Sequence, residues 1–283
     1  MASLENTSNK KIKISHYIGK MKEAGRGLLI VKNKGKVVQH LLGLAKGEKI
    51  YYHLPGNLRL EIPNKSKKDK TAILSIKEIF GDKLYSLDFP SARTIIDLGA
   101  NIGVYSLYAG LQHPNAVVYA FEPDPWSFKQ LKRNIEINHL QKRVKAFCMA
   151  SSGKNGYIDF YVDPLTTRGS SALYPKGEKI KVKSLTLKDL FSLLKVKECD
   201  ILKVDIEGAE YDLLYNSPEK IMRSVHYILL EYHKGMEQLH ARYSPEAIKE
   251  FLKKRGFNIL REKNDVIVAE NASFKTAVHE KGL

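Results

Sequence analysis

Cysteine is scarce in this chain of 283 residues, which has only Cys148 and Cys199. Two thiols cannot build the disulfide framework of a small secreted domain, so that class is excluded. Long apolar runs are missing as well. Stretches such as Tyr227–Leu230 fall far short of the ~18–20 residues that span a bilayer. The opening Met-Ala-Ser-Leu-Glu-Asn has no charged region leading into an apolar one, so no secretory signal is read there. A cytoplasmic protein with no transmembrane segment is expected. Acid is the third deficit: 31 Asp and Glu face 47 Lys and Arg, a net charge of +16. The excess is uneven, with 19 basic and 8 acidic residues in 1–93. Such a chain can favour nucleic acid, anionic lipid or an anionic small molecule, or simply carry a well-solvated surface. Its lysines are scattered except for Lys65, Lys67, Lys68 and Lys70, which follow Pro63-Asn64 and read as a surface loop. Hydrophobic residues at 43% and charged residues at 28% are globular proportions and exclude global disorder.

The pattern divides near residue 86. Residues 1–85 read as a small basic α+β extension and 86–283 as the catalytic domain. Residues 1–15 are polar and frayed, and 16–25 suit a short helix. Gly27–His40 reads as two short strands around Asn33-Lys34-Gly35. Strand patterns follow at Lys49–His53 and Asn57–Ile62. Ile73, Leu74, Ile76, Ile79 and Phe80 then give helical spacing ending at Gly81.

Beyond residue 94, strands and helices alternate. Strands are expected at Thr94–Leu98, Ala116–Phe121, Val144–Met149, Tyr157–Val162, Ile201–Asp205 and His226–Tyr232. Helices are expected at Ile102–Gln112, Pro125–Asn138, Leu185–Leu194, Ala209–Leu214 and Pro245–Arg255. Asp124 and Pro125 form an N-cap and first-turn pair. Phe257–Leu260 and Val266–Ala269 make a closing hairpin. Buried strands alternating with helices predict an α/β, doubly wound, mostly parallel sheet, and the hairpin adds an antiparallel strand near one edge.

Thr94–Gly103 (TIIDLGANIG) is a hydrophobic strand, an acid, and two glycines four apart opening a helix. Glycine permits the sharp turn and lets a ligand approach without a Cβ in the way. Dinucleotide enzymes use G-x-G-x-x-G for pyrophosphate. Here the spacing is G-x-x-x-G, and Asp97 would repel a phosphate but suit a ligand with positive charge. Glu122 ends the next strand, where a carboxylate accepts hydrogen bonds from vicinal ribose hydroxyls. An acid, a glycine loop and a ribose-binding acid fit S-adenosylmethionine better than a nicotinamide cofactor, because its sulfonium and ammonium are cationic and it has no phosphate.

DLGANIG at 97–103, FEPD at 121–124 and DILKVDIEGAE at 200–210 together resemble the FkbM family of S-adenosylmethionine-dependent methyltransferases, over about residues 58–270. The third motif is the most specific. The resemblance implies a seven-stranded, Rossmann-like class I methyltransferase fold and O-methylation of a sugar, glycan or other small-molecule hydroxyl. By position, Asp97, Gly99, Asn101 and Gly103 would line the methionine part of the cofactor. Glu122, within the Glu122–Asp124 stretch, would hold the ribose, and Ala150 and Ser151 would lie by the adenine. The first 57 residues match nothing in the family.

A hydroxyl acceptor must be aligned with the methyl group and lose a proton. Open α/β sheets bind ligands at the carboxyl ends of their strands. Asp205 and Glu207 sit at one such end and Glu231 and His233 at another, so these four are the catalytic candidates, with Asp205 or His233 as the base. Glu210 reads as a helix-face residue paired with a lysine. A divalent metal on Asp205, Glu231 and His233 is conceivable, since oxygen donors suit magnesium, but no spacing demands one and none is expected. Arg168, Ser170, Ser171 and Tyr174 could form an acceptor-side lid. The alternatives are an RNA methyltransferase using the basic N-terminal segment, or an idle methyltransferase fold that binds RNA or a partner. The first lacks an Asn-Pro-Pro-Tyr-type element and an aromatic-rich RNA motif; the second need not have kept Asp97, Gly99, Gly103 and Glu122.

Overall fold

The computed structural model describes residues 22–64, 71–163, 170–173 and 177–274. The expected frayed segment, the Lys65–Lys70 cluster, Arg168 and Tyr174 lie outside them. Among the described residues two helices come first, α1 over 22–30 and α2 at Lys34–Leu41, followed by the antiparallel pair β1 (Lys49–His53) and β2 (Arg59–Pro63). Helix α3 (Ala72–Ile76) runs into a π turn at Lys77–Gly81. Then come β3 (Thr94–Leu98), α4 (Val104–Gln112), β4 (Val117–Phe121), α5 (Pro125–Ile137), β5 (Val144–Phe147), β6 (Ala150–Ser151), β7 (Gly156–Val162) and β8 (Glu178–Leu185). The chain continues through α6 (Leu187–Leu194), β9 (Cys199–Val204), α7 (Glu210–Tyr215), α8 (Glu219–Arg223), β10 (Val225–Glu231), α9 (Pro245–Lys254), β11 (Phe257–Lys263) and β12 (Val266–Asn271).

Among the described residues, seven strands form one sheet in the order β11-β12-β10-β9-β3-β4-β5. Its five strands from β10 to β5 are parallel, while β12 runs antiparallel between β10 and β11. The chain winds outward from β3 through β4 to β5, then returns to β9 on the other side. That reversal beside β3 is where open α/β sheets leave a crevice at their carboxyl ends. The alternation of strand side chains makes both faces apolar. Ile95 and Ile201 point into one cluster with Leu107 and Leu131, while Ile96, Leu98, Leu202 and Val204 point into the other with Leu190, Tyr211 and Leu252.

The segment before residue 86 packs into the first of these clusters. Val31, Val37, Tyr52, Leu60 and Ile76 are buried in it together with Ile95 and Leu107. Polar contacts fasten the β1–β2 hairpin to α5. Glu61 N–H donates to Asn134 Oδ1 at 2.7 Å, Gln130 Nε2 donates to Glu61 O at 2.7 Å, and Arg133 pairs with the Glu61 carboxylate at 3.0 Å. Asn134 Nδ2 in turn donates to Ile102 O at 2.9 Å, so α5 ties the hairpin to the glycine loop.

Gly27–His40 is helical, not a strand pair. Its β-branched residues favoured strands, but the segment places Val37 and His40 three apart on one buried helical face, and tertiary packing overrides such propensity. Asn33 is no hairpin turn. Its side chain accepts from His53 N at 2.9 Å and donates to Tyr51 O at 2.7 Å, joining α2 to β1. The elements not foreseen include β6, β8 and the five-residue α8. Strand β8 pairs antiparallel with β7 and parallel with β6 in a separate three-stranded sheet.

Candidate active site

The carboxyl ends of β3, β4 and β9 open into a cleft enclosing about 1070 Å³ of space, part of it continuous with solvent. The turn after β3 forms one wall. Gly99, Asn101 and Gly103 all have positive φ, at 78°, 52° and 97°. Gly99 is required for packing as well as conformation, because a Cβ there would stand 1.7 Å from Asp205 O. Asn101 holds its strained backbone by accepting Ile102 N–H on its own Oδ1 at 2.7 Å.

Glu122 lies in the cleft wall against this turn. Its two carboxylate oxygens accept from Asn101 N and Asp124 N at 2.7 and 2.8 Å. Burial pushes its pKa up to about 8, aided by the Asp124 charge and opposed by those backbone donors and by Lys203. Met149, Ala150 and Ser151 line the same end, where Ser151 Oγ donates to Leu185 O at 3.4 Å.

Three expected cofactor residues stand behind the cleft. Asp97 is fully buried and does not line it. Its carboxylate accepts from Ser106 Oγ at 2.6 Å and pairs with Lys203 Nζ at 3.2 Å, so the cation it suits is a lysine of the chain itself. Asp124 caps α5, accepting from Trp126 N at 3.1 Å and Ser127 Oγ at 2.8 Å. Gly103 meets Leu131, whose Cδ1 would lie 2.7 Å from an added Cβ.

Lys203 is the residue that motif reading passed over. It lies on β9 directly across from Asp97 on β3, on the same face as Ile201. Its ammonium, 3% exposed, reaches Asp97 and Asp205 at 3.2 Å each and donates to Gly99 O at 3.0 Å. The rings of Tyr85 and Tyr105 flank it at 5.6 and 5.8 Å. Burial works against the charge, but the Asp205 and Asp97 carboxylates outweigh it and raise the pKa, so Lys203 stays cationic. A lysine inside an apolar parallel strand was the available signal, since such charges are buried only when paired.

The four catalytic candidates gather at or just beyond the ends of β9 and β10. Asp205 and Glu207 line the cleft together with Ser75, Glu78 and Tyr85. Glu231 and His233, on β10 and its exit, are not among the lining residues but stand beside them, with donor atoms within 4.8 Å of one on Asp205. Tyr85 donates its phenol to the Glu231 carboxylate. Burial and the nearby Asp205 and Glu231 charges push the phenol's pKa well up, so it remains a donor. Glu207 and Gly208 both take positive φ, 53° and 102°. This turn points Gly208 N–H at Glu210 Oε2, 2.8 Å away, and leaves Glu207 O to accept from Ser171 Oγ at 2.7 Å. Ser170 lines the cleft as a lid residue would, whereas Ser171 turns inward.

His233 differs from its expected role as base. Its Nδ1 lies 2.9 Å from Glu210 Oε1 and its Nε2 lies 3.4 Å from Glu207 Oε2. Burial lowers its pKa, but the Glu210 and Glu207 carboxylates raise it well above the ordinary value and favour the protonated ring. Glu210 differs too: it is fully buried and partners His233, not a lysine.

The model of the methyltransferase FkbM domain matches residues 97–259. The chain belongs to the FkbM methyltransferase family. Methyltransferase sdnD of Sordaria araneosa is 31% identical over 221 residues, covering 66% of this chain and 82% of the relative. The 31-O-demethyl-FK506 methyltransferase FkbM of Streptomyces tacrolimicus is 25% identical over 189 residues, covering 56% and 73%. The hexuronic acid methyltransferase AglP of Haloferax volcanii is 27% identical over 141 residues, covering 50% and 56%. Among the described residues, no helix of this FkbM methyltransferase is long and apolar enough to cross a membrane.

Lys203→Met would leave the buried Asp97 carboxylate without its cation. A loss of ~3–5 kcal/mol in urea unfolding is expected, and adding Asp97→Asn should recover part of it. An unchanged unfolding midpoint would show that the triad contributes no stability.

Proposed function

We propose that this chain is an S-adenosylmethionine-dependent O-methyltransferase acting on a hydroxyl of a sugar, glycan or other small molecule. The observation that carries this reading is the Glu122 carboxylate held against the Gly99–Gly103 turn by Asn101 N at 2.7 Å, in one cleft that Asp205 and Glu207 also line. Glu122 is the ribose acceptor, the turn surrounds the methionine portion, and Met149–Ser151 border the adenine. When bound, the cofactor supplies a methyl on a sulfonium sulfur, so an acceptor oxygen gains the C–O bond as the C–S electron pair passes to sulfur.

The protein's own task is to position that oxygen and receive its proton. Asp205 is assigned to the proton first and Glu207 second, as the strand-end carboxylates that line the cleft. Tyr85 and Glu78 shape the wall against which the acceptor rests. The names of two relatives support a hydroxyl or sugar acceptor, since one is a 31-O-demethyl-FK506 methyltransferase and another a hexuronic acid methyltransferase. Glu78, Asp205 and Glu207 make the far end rich in carboxylates, which favours an uncharged hydroxyl over the phosphates of RNA.

Two outcomes test this reading. Asp205→Asn is expected to bind S-adenosylhomocysteine as the wild type does while losing ~10²–10⁴-fold in methyl transfer from labelled cofactor to a responsive acceptor; undiminished transfer would remove Asp205 from the proton's path. Ionised Glu122 is the stronger acceptor of ribose hydroxyls, and its pKa of about 8 leaves it mostly protonated at lower pH. Affinity for S-adenosylhomocysteine should therefore rise, on the order of tenfold, as pH increases through that value. Glu122→Gln should flatten the rise. A rise of equal size in the variant would assign it to another group.

A further inference from the structure

We propose that Asp205, Glu231 and His233 form a binding site for a hard divalent cation such as Mg²⁺ or Mn²⁺ at the acceptor end of the cleft; its suggested role rests on the methyltransferase reading above. Their spacing in sequence did not demand such a site. The fold creates it, because β9 and β10 pair in parallel with Leu230 opposite Val204, so both chains leave the sheet side by side. One oxygen of Asp205, one of Glu231 and one His233 nitrogen lie within 4.8 Å of one another. Two donors on opposite sides of a Mg²⁺ stand ~4.2 Å apart, and those of a Ca²⁺ ~4.8 Å. The cluster is thus close to the size of a coordination shell, on rigid strand ends.

The surroundings of His233 point the same way. A metal-binding imidazole usually gives its other ring nitrogen to a carboxylate that fixes its orientation. Here that carboxylate is Glu210, fully buried and outside the donor set. Its Oε1 accepts from His233 N at 2.8 Å and lies 2.9 Å from Nδ1, while its Oε2 accepts from Gly208 N at 2.8 Å. The ring is thereby locked from behind, with Nε2 turned towards Glu207 at 3.4 Å. Glu207 beside Nε2, with Glu210 on the opposite ring nitrogen, makes this nitrogen a place for positive charge, and the cation takes the place of the proton there. The two acidic donors are oriented as well, Asp205 by Lys203 at 3.2 Å and Glu231 by the Tyr85 phenol.

One imidazole nitrogen and two carboxylate oxygens leave coordination positions for water or an acceptor oxygen. A cation there would hold a substrate hydroxyl and make it more acidic. The methyl balance is that given above; with Asp205 on the cation, the proton passes to Glu207, which lines the cleft outside the donor set. Vicinal diols, as on sugars, are the acceptor chemistry best matched to two such positions.

The experiment is a titration of the full chain with Mn²⁺ at neutral pH, followed by electron paramagnetic resonance. One Mn²⁺ per chain is expected, with spin-echo modulation from a coordinated imidazole nitrogen. Asp205→Asn and Glu231→Gln should each weaken binding at least tenfold. Glu210→Gln, which touches no cation, should weaken it ~10–100-fold. The absence of bound Mn²⁺, Mn²⁺ lacking nitrogen modulation, or affinity unchanged in both Asp205→Asn and Glu231→Gln would each overturn the site. The nitrogen signal comes from the wild type, so the result stands even where a variant fails to fold. S-adenosylhomocysteine binding without Mn²⁺ binding would defeat the cation site alone. Mn²⁺ binding without S-adenosylhomocysteine binding would uphold the site and defeat the cofactor reading.

Discussion

A buried ammonium sits where this structure's parts meet. Lys203 Nζ is within 3.2 Å of Asp97 on the neighbouring strand, of Gly99 O in the glycine turn and of Asp205 just beyond β9. Desolvating three charges costs more than a hydrophobic substitute would, so the cluster is poorly explained as a device for stability. What it does is geometric. Its partners come from β3, from the turn after β3 and from the end of β9, and one cation sets their separations. Gly99 completes the arrangement, because only a residue without Cβ brings its backbone that close to Asp205 O.

The basic N-terminal segment is bound to this centre in two ways. Through Glu61, Asn134 and Ile102 O, the β1–β2 hairpin is fastened to α5 and from there to the glycine turn. Through Ser75, Glu78 and Tyr85, the segment after the hairpin supplies cleft wall. Its described part shares the apolar cluster under the sheet. The net charge of +16 belongs to the whole chain, whereas the cleft is lined by the carboxylates of Glu78, Glu122, Asp205 and Glu207 beside Lys203, so the net charge says little about what enters the cleft.

Much of the fold could be read from the sequence because local and global preferences agreed. Thr94–Leu98 is a strand at the bounds expected, and Asp124-Pro125 starts a helix as its cap chemistry requires. Glu122 could be placed because strand ends and glycine turns leave fixed signatures. What could not be read depended on tertiary partners. Gly27–His40 has the composition of strands and becomes helical by packing on the hairpin. Asp97 had the right charge to meet a ligand, but its cation comes from Lys203, 106 residues away in the chain and opposite it in register. Glu210 and His233 looked independent, yet the turn at Glu207-Gly208 brings them together. The lysine-rich alternation of β8 was visible in sequence and could have identified a strand with one solvated face.

The central claim is that the Glu122 side of the cleft holds an adenosyl cofactor. Calorimetric titration of the full chain with S-adenosylhomocysteine, wild type against Glu122→Ala, tests it most directly. The account predicts one site of micromolar affinity, ~−8 kcal/mol, weakened at least tenfold by the substitution. An absence of binding, or equal affinity in both proteins, would contradict it.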